Sequence, residues 1–323
     1  MSDDVVTHTA LVRFDQGGIV IPALLADAGE ETARQTVDFF TVKIRNKHTR
    51  RAYAAAIAQF CTWCERRGIS LAQLQPVIVA AYIEQHPGSA PTVKQHLAAI
   101  RMLGDYLVVH GVLRMNPAAA VKGPKYSAKR GKTPVLSGAE ARGFLEAIET
   151  KTLIGLRDRA LVAVMVYTFG RVGAVTHMRV EDFYPQGKRW WFRLHEKGGK
   201  RHEVPAHHLA EAYVDAYLDR AGLRDDRKGW LFRAVNRKRQ LTIRRLHEVD
   251  VFRMIKRRAS AGGVPDSTCC HTFRATGITA YLQNGGTLEK AQQIACHESP
   301  RTTKLYDRSN DTLTLDEIER IML

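Results

Sequence analysis

Four residues near the C-terminal end of the sequence could together bind and attack a phosphodiester: His271, Arg274, His297 and Tyr306. A guanidinium presents a fork of N–H donors that matches phosphate oxygens, and it keeps its charge at neutral pH. Imidazoles can donate a hydrogen bond or move a proton, and a phenol supplies a nucleophilic oxygen once neighbouring cations stabilise its anion. His271 and Arg274 stand at i, i+3, which on a helix sets them side by side on one face. That helix is expected to end at Asn284-Gly285-Gly286, where glycine permits a left-handed cap. A further short helix leads to Cys296-His297, and Tyr306 follows nine residues after His297. No carboxylate pair sits among these residues to hold a metal. Singly, each has a plainer reading, since a lone His or Tyr is far more often structural than catalytic and His-x-x-Arg arises by chance in a basic chain.

The elements that must position this group are partly legible upstream. Arg189 to His195 alternates around Trp190, Phe192 and Leu194, Gly198-Gly199 offers a turn, and Val204 continues a returning strand, which predicts a β-hairpin. Ser137 with Glu140 three residues on is a capping box that opens a helix. Between Lys122 and Lys132 lie five cations, Lys122, Lys125, Lys129, Arg130 and Lys132, with Gly123, Pro124 and Gly131 and no acid; this stretch reads as a linker able to follow a phosphate backbone.

Before the linker, Tyr53, Ile57, Phe60, Cys61 and Cys64 recur at helical spacing, as do Val93, Leu97, Ile100, Leu103 and Leu107. Lys43, Arg45, Lys47, Arg50 and Arg51 lead into the first helix, and Lys94 and Arg101 lie on other faces of the second. These cations are candidate DNA contacts, although any single charge run is more often a solvated helix face. Cys61-x-x-Cys64 falls on an apolar helix face with no second pair at zinc spacing, which favours core packing over metal. The expected organisation is an arm over 1–30, a helical domain over 31–120, a basic linker over 121–133 and a second domain, mainly α with a small sheet, over 134–323.

Composition agrees with a polyanion partner. The 323 residues carry 49 Lys+Arg against 33 Asp+Glu, a net +16, and the length suits two domains. Five cysteines, an odd number, suit free thiols in a reducing compartment. No apolar run approaches the roughly 20 residues of a membrane span, and Met-Ser-Asp-Asp is acidic where a signal peptide would be basic. A cytoplasmic, nucleoid-associated protein is therefore expected.

The combination of motifs resembles one family. His271-x-x-Arg274, then Ala295-Cys296-His297-Glu298-Ser299, then Thr302-Thr303-x-x-Tyr306 is similar to the H-x-x-R, L-G-H-S and T-T-x-x-Y series of tyrosine recombinases, the group that includes phage integrases and Xer-like enzymes. Upstream, Thr168-Phe169-Gly170-Arg171-Val172-Gly173-Ala174-Val175 is similar to T-G-L-R-I-S-E-L, and Glu196-Lys197-Gly198-Gly199-Lys200-Arg201-His202-Glu203-Val204-Pro205 to the K-G-x-K-x-R-x-V-P turn. The resemblance is strong over 134–310 and weaker over the helical region from 40 to 115. Two departures stand out: Ala174 replaces an acidic residue, leaving Glu181, Asp182 or no acid at all to support the site, and Phe169-Gly170 replaces Gly-Leu.

The resemblance implies a two-domain C-shaped clamp on duplex DNA, with an all-α core-binding domain and an α+β catalytic domain. It implies Arg171, Lys197, His271, Arg274, His297 and Tyr306 as the catalytic set, with Lys200 beyond the glycines as a DNA contact. The reaction would be cleavage and rejoining through a 3′-phosphotyrosyl link, with no metal and no ATP or other cofactor. Four copies of the chain would assemble on two DNA sites of paired inverted repeats, with an accessory DNA-binding protein as a further partner. A role for a mobile element, in integration, excision or cointegrate resolution, is the expectation. Other readings are a regulatory DNA-binding protein that has lost catalysis, a strand-nicking topoisomerase, and a metalloprotein built on Cys269, Cys270, His271, Cys296 and His297. Thr314 with Glu317 forms another capping box, and Leu315, Ile318, Ile321 and Met322 offer apolar surface, which predicts a C-terminal helix that folds back onto its own domain or, as the resemblance implies, is exchanged between protomers.

Overall fold

The computed structural model describes residues 12–13, 20–127, 131, 133–196, 199–307 and 319. The chain divides between residues 127 and 128 into two compact units. Among the described residues it is mainly helical with three small antiparallel sheets, and no helix is long and apolar enough to cross a membrane.

In the first unit, β1 (Val12–Arg13) pairs with β2 (Val20–Ile21), followed by α1 (Ala23–Ala26), α2 (Glu30–Asp38), α3 (Lys47–Glu65), α4 (Pro76–Gln85) and α5 (Ala90–Val109). Asn46 starts α3, its side-chain oxygen accepting from the N–H groups of His48 and Thr49. The apolar stripe read from the sequence is the buried one: Ile57, Phe60, Cys61 and Cys64 of α3 pack with Leu97, Leu103 and Leu107 of α5. Both cysteines are free thiols in this core, and burial drives the Cys61 thiol well up and that of Cys64 to about 11. Residues 20–30, expected to belong to the arm, differ from that reading. Ile21 of β2 and Leu24 and Leu25 of α1 are buried in the core, in elements too short to show a period.

The second unit is built around a central helix. It opens with α6 (Gly138–Glu146), where Ser137 and Glu140 make the reciprocal capping box foreseen from their spacing. Next comes α7 (Leu153–Tyr167), apolar in its C-terminal half, with Ala160 to Met165 fully buried. After α8 (Val172–Thr176) the chain forms a three-stranded sheet of β3 (Phe183–Gln186), β4 (Arg189–His195) and β5 (Arg201–Pro205) in that order. Its pairing sets Phe192 opposite both Phe183 and Val204, so one face is apolar and packs on the core. Then follow α9 (His208–Ala221), a hairpin of β6 (Arg233–Val235) and β7 (Leu241–Arg245), α10 (Glu248–Ala261), α11 (Cys270–Gln283), α12 (Leu288–Ala295) and α13 (Pro300–Lys304). Asp158 ties this unit together from inside, one oxygen accepting from Arg157 and the other from Arg258 of α10. The foreseen stop of α11 is present, with Gly285 in the left-handed region at φ 82°.

Candidate active site

Helix α11 carries His271 and Arg274 one turn apart, as their spacing requires. Arg274 is 1% exposed, which for a permanent charge demands compensation. Its Nη1 donates to the carbonyl of Phe169 and its Nη2 to that of Ala295 at 2.6 Å, while Nε, also buried, meets no acceptor. Burial and then the charge of Arg171 lower its pKa to about 10, which leaves it cationic at neutral pH. A fixed, half-satisfied guanidinium of this kind is a socket for an anion's oxygen.

The Phe169 carbonyl reaches Arg274 because Phe169 adopts φ 52°, a left-handed conformation that costs a bulky residue on the order of 1 kcal/mol or more. This is the position where the resembled motif has glycine. Phe169 compensates by packing in a small core with Ala275, Ile278, Ala291, Ala295 and Tyr306. Gly170 beside it is required for closeness, since a Cβ there would lie 2.7 Å from the Val175 side chain.

Tyr306 follows α13 in a turn pinned at three points. Its N–H donates to Thr303, its carbonyl accepts from the Thr279 hydroxyl at 3.0 Å, and the Leu305 carbonyl accepts from the N–H of Gly131. The phenolic oxygen lies 2.6 Å from Nε2 of His271. The ring stacks parallel to that of His297, with centroids 5.8 Å apart and planes within 9°. His297 is delivered by Cys296, whose left-handed conformation ends α12, and its Nδ1 lies 2.9 Å from the Thr303 hydroxyl.

Charge states follow from burial. Burial raises the Tyr306 pKa above its ordinary value even though Arg274 and Arg171 both pull it down. His271 is lowered, first by loss of water on its inner side and then by Arg274 and Arg171. His297 falls to about 3 for the same causes in the same order. At neutral pH the site thus holds a protonated phenol, two neutral imidazoles and two guanidiniums. With its proton on Nδ1, the His271 ring can accept the phenolic proton at Nε2.

Arg171 caps the start of α8 and donates from Nη1 to Oε2 of Glu196 at 2.5 Å. Sequence reasoning passed over Glu196; its one signal is an acid standing at the head of an otherwise basic turn. The acids it favoured are engaged elsewhere. Glu181 pairs with Lys228, and Asp182 lies by His195 and Arg193 and accepts from the Arg179 N–H. Ala174 is buried in the core.

The structure therefore gathers Arg171, His271, Arg274, His297 and Tyr306. Lys197 lies outside the described residues, as do Lys129, Arg130, Lys132 and the tail residues Thr314, Leu315, Glu317, Ile318, Ile321 and Met322. Lys200 is described and pairs with Glu298 at 2.6 Å, next to His297. Of the cations in the first unit, Lys43, Arg45, Lys47, Arg51, Lys94, Lys122 and Lys125 are exposed. Arg50 instead donates to the Ile44 carbonyl, and Arg101 to those of Ala118 and Val121. No cluster of three or more His, Cys, Asp or Glu side chains could hold a metal ion among the described residues.

Two guanidiniums and a histidine-bound phenol, in a mainly helical unit with a small sheet, are groups that phosphoryl transfer through a tyrosine requires. A model of the Phage integrase family matches residues 134–312, and one of the phage integrase N-terminal SAM-like domain matches residues 39–111. The chain belongs to the phage integrase family, the tyrosine recombinases, and is a site-specific DNA recombinase acting through a phosphotyrosyl intermediate. It is 25% identical over 228 residues to tyrosine recombinase XerD of Listeria monocytogenes serotype 4b, covering 70% of this chain and 74% of that one. Among solved structures it is similar to XerH recombinase bound to palindromic difH substrate, at TM-score 0.66 and 20% identity over 80% of this chain and 75% of that chain. It is similar also to a lambda integrase tetramer bound to a Holliday junction, at TM-score 0.63 and 18% identity over 90% and 82%.

Proposed function

We propose that Tyr306 attacks the scissile phosphate of duplex DNA, forming a bond from its oxygen to phosphorus while the bond from phosphorus to the 5′-oxygen breaks. The observation that carries this reading is the 2.6 Å contact between the phenol and Nε2 of His271, in a site that also holds Arg171 and Arg274. His271 takes the phenolic proton. Arg171 and Arg274 hold the non-bridging oxygens. His297, with Nδ1 engaged by Thr303, offers Nε2–H to the same oxygens. Lys197 protonates the departing 5′-oxygen. Two guanidiniums and the Glu196 carboxylate leave one net positive charge facing a singly charged phosphodiester, so the negative charge that grows in the transition state is met by fixed donors. The 3′-phosphotyrosyl bond conserves the ester energy, and the 5′-hydroxyl of a partner strand reseals it without ATP or metal.

Four copies of the chain on two inverted-repeat sites carry out the exchange in this reading, supported by the likeness to the lambda integrase tetramer on a Holliday junction. A role for a mobile element rests on the departures at Phe169, Gly170 and Ala174; a chromosomal, Xer-like role is favoured instead by the XerD relative. The test begins with a library of nicked duplexes randomised across the site. Wild-type protein should give a detergent-resistant adduct from which the preferred duplex is recovered, and Tyr306→Phe should bind that duplex and give no adduct. Adduct from the Phe variant would overturn the assignment. A recovered sequence that recurs as inverted repeats beside a transposase gene supports the mobile-element role.

A further inference from the structure

We propose that Glu196 is the positioning residue for Arg171, a carboxylate supplied by the end of the β4–β5 hairpin in place of the acid that Ala174 lacks on α8. This inference rests on the reading that Arg171 holds the scissile phosphate.

Three observations converge on it. Glu196 Oε2 accepts from Arg171 Nη1 at 2.5 Å, while the Glu196 side chain is 2% exposed and that of Arg171 39%. A buried carboxylate thus grips one nitrogen of a guanidinium whose other donors remain in the open, which fixes the fork's direction without filling it. Ala174, one turn along α8 from Arg171, is buried and has no group that can hydrogen-bond. Glu181 and Asp182 are committed to other partners. The remaining oxygen of Glu196, Oε1, is buried with no hydrogen-bond partner. A polar atom left so is costly, and its retention points to a function of the carboxylate and not to core packing.

The location adds a consequence. Glu196 is held by its own backbone, its N–H donating to the carbonyl of Lys200 at 2.7 Å across the hairpin end. The residue after it in the chain is Lys197, the proposed general acid. The same hairpin end thus aims the arginine.

The experiment uses the full-length protein and the duplex recovered with wild type, and follows single-turnover adduct formation, DNA affinity and melting temperature. Glu196→Gln, which keeps the shape and removes the charge, should slow adduct formation on the order of 100-fold, as expected for a reacting group displaced by about an ångström, with DNA affinity unchanged. Glu196→Asp should recover part of that loss. In an Arg171→Lys background, adding Glu196→Gln should cause little further loss, because the partner through which it acts is already gone. Adduct formation by Glu196→Gln within twofold of wild type, while Arg171→Lys is impaired, would overturn the proposal and leave the proposed function standing. Equal multiplicative loss in both backgrounds would overturn it as well, since a residue of purely structural effect behaves that way. Normal cleavage by Arg171→Lys and Arg171→Ala would instead bring down the phosphate-clamp reading itself.

Discussion

Tyr306 is a poor nucleophile until its proton has somewhere to go. Burial outweighs the pull of two guanidiniums and leaves the phenol protonated throughout the neutral range. His271 is lowered by the same surroundings, so its ring is already neutral at pH 7 and able to accept. The sign follows directly: the active pair is phenol plus neutral imidazole, lost as pH falls through the lowered His271 value and unaffected as pH rises through neutrality. Single-turnover cleavage should therefore be level from about pH 7 upward and fall tenfold per pH unit on an acid limb lying below the ordinary histidine value of about 6.5. His271→Ala should cut the rate at pH 7 by about 100-fold, the low end for a general base, and should replace the acid limb by a rate that climbs with pH, since hydroxide must then remove the proton. An unchanged acid limb in His271→Ala would assign the titration to another group.

Those side chains work only if helix α11 lies close against the end of α7, and Gly277 decides that distance. A Cβ at Gly277 would sit 2.1 Å from the Val166 carbonyl and 2.8 Å from the Phe169 ring, so backbone would have to move. Phe169 is the residue whose carbonyl holds Arg274. Gly277→Ala should thus destabilise the fold by about 1–3 kcal/mol, the usual cost of overpacking, and slow cleavage beyond what the lost stability explains, measured by melting temperature and adduct rate together. A variant that melts normally and cleaves normally would show that this contact can relax. The same element explains what could and could not be read in advance. Helices α3 and α5, the Ser137 box, the hairpin and the run of His271, Arg274, His297 and Tyr306 were legible because each is written in local spacing, whereas Arg171, a hundred residues upstream of His271, was legible only through the family resemblance. Glu196 was not, because its partner lies 25 residues away in the chain and only the pairing of β4 with β5 brings it there. Glu181 and Asp182 were nearer in sequence, but the short turn at Val180–Asp182 commits them to Lys228, His195 and Arg193. Helices of four or five residues, such as α1 and α13, are too short to display a period.

Across the whole molecule, the excess of +16 is spread through both units, and geometry sorts the cations that sequence placed on one footing. Lys94 and Lys122 extend into solvent, whereas Arg50 and Arg101 spend their donors on backbone carbonyls of the first unit. Arg101 in particular joins α5 to the carbonyls of Ala118 and Val121, so it holds the start of the linker region. A lysine on a phosphate releases a counterion, and each such contact contributes about 0.9 to the slope of log affinity against log salt on duplex DNA. On the recovered duplex, Lys94→Ala or Lys122→Ala should lower that slope by about 0.9 while leaving the melting temperature of the free protein in place. Arg101→Ala should do the reverse, lowering the melting temperature through the Val121 carbonyl left unpaired, at about 1–3 kcal/mol, with a slope close to wild type, since the Ala118 carbonyl still accepts from the Val121 N–H. A salt series of binding titrations beside thermal melts separates the two classes. A full unit lost from the slope in Arg101→Ala with no change in melting would make it a DNA contact after all, and an unaltered slope in both lysine variants would move the DNA path off that face.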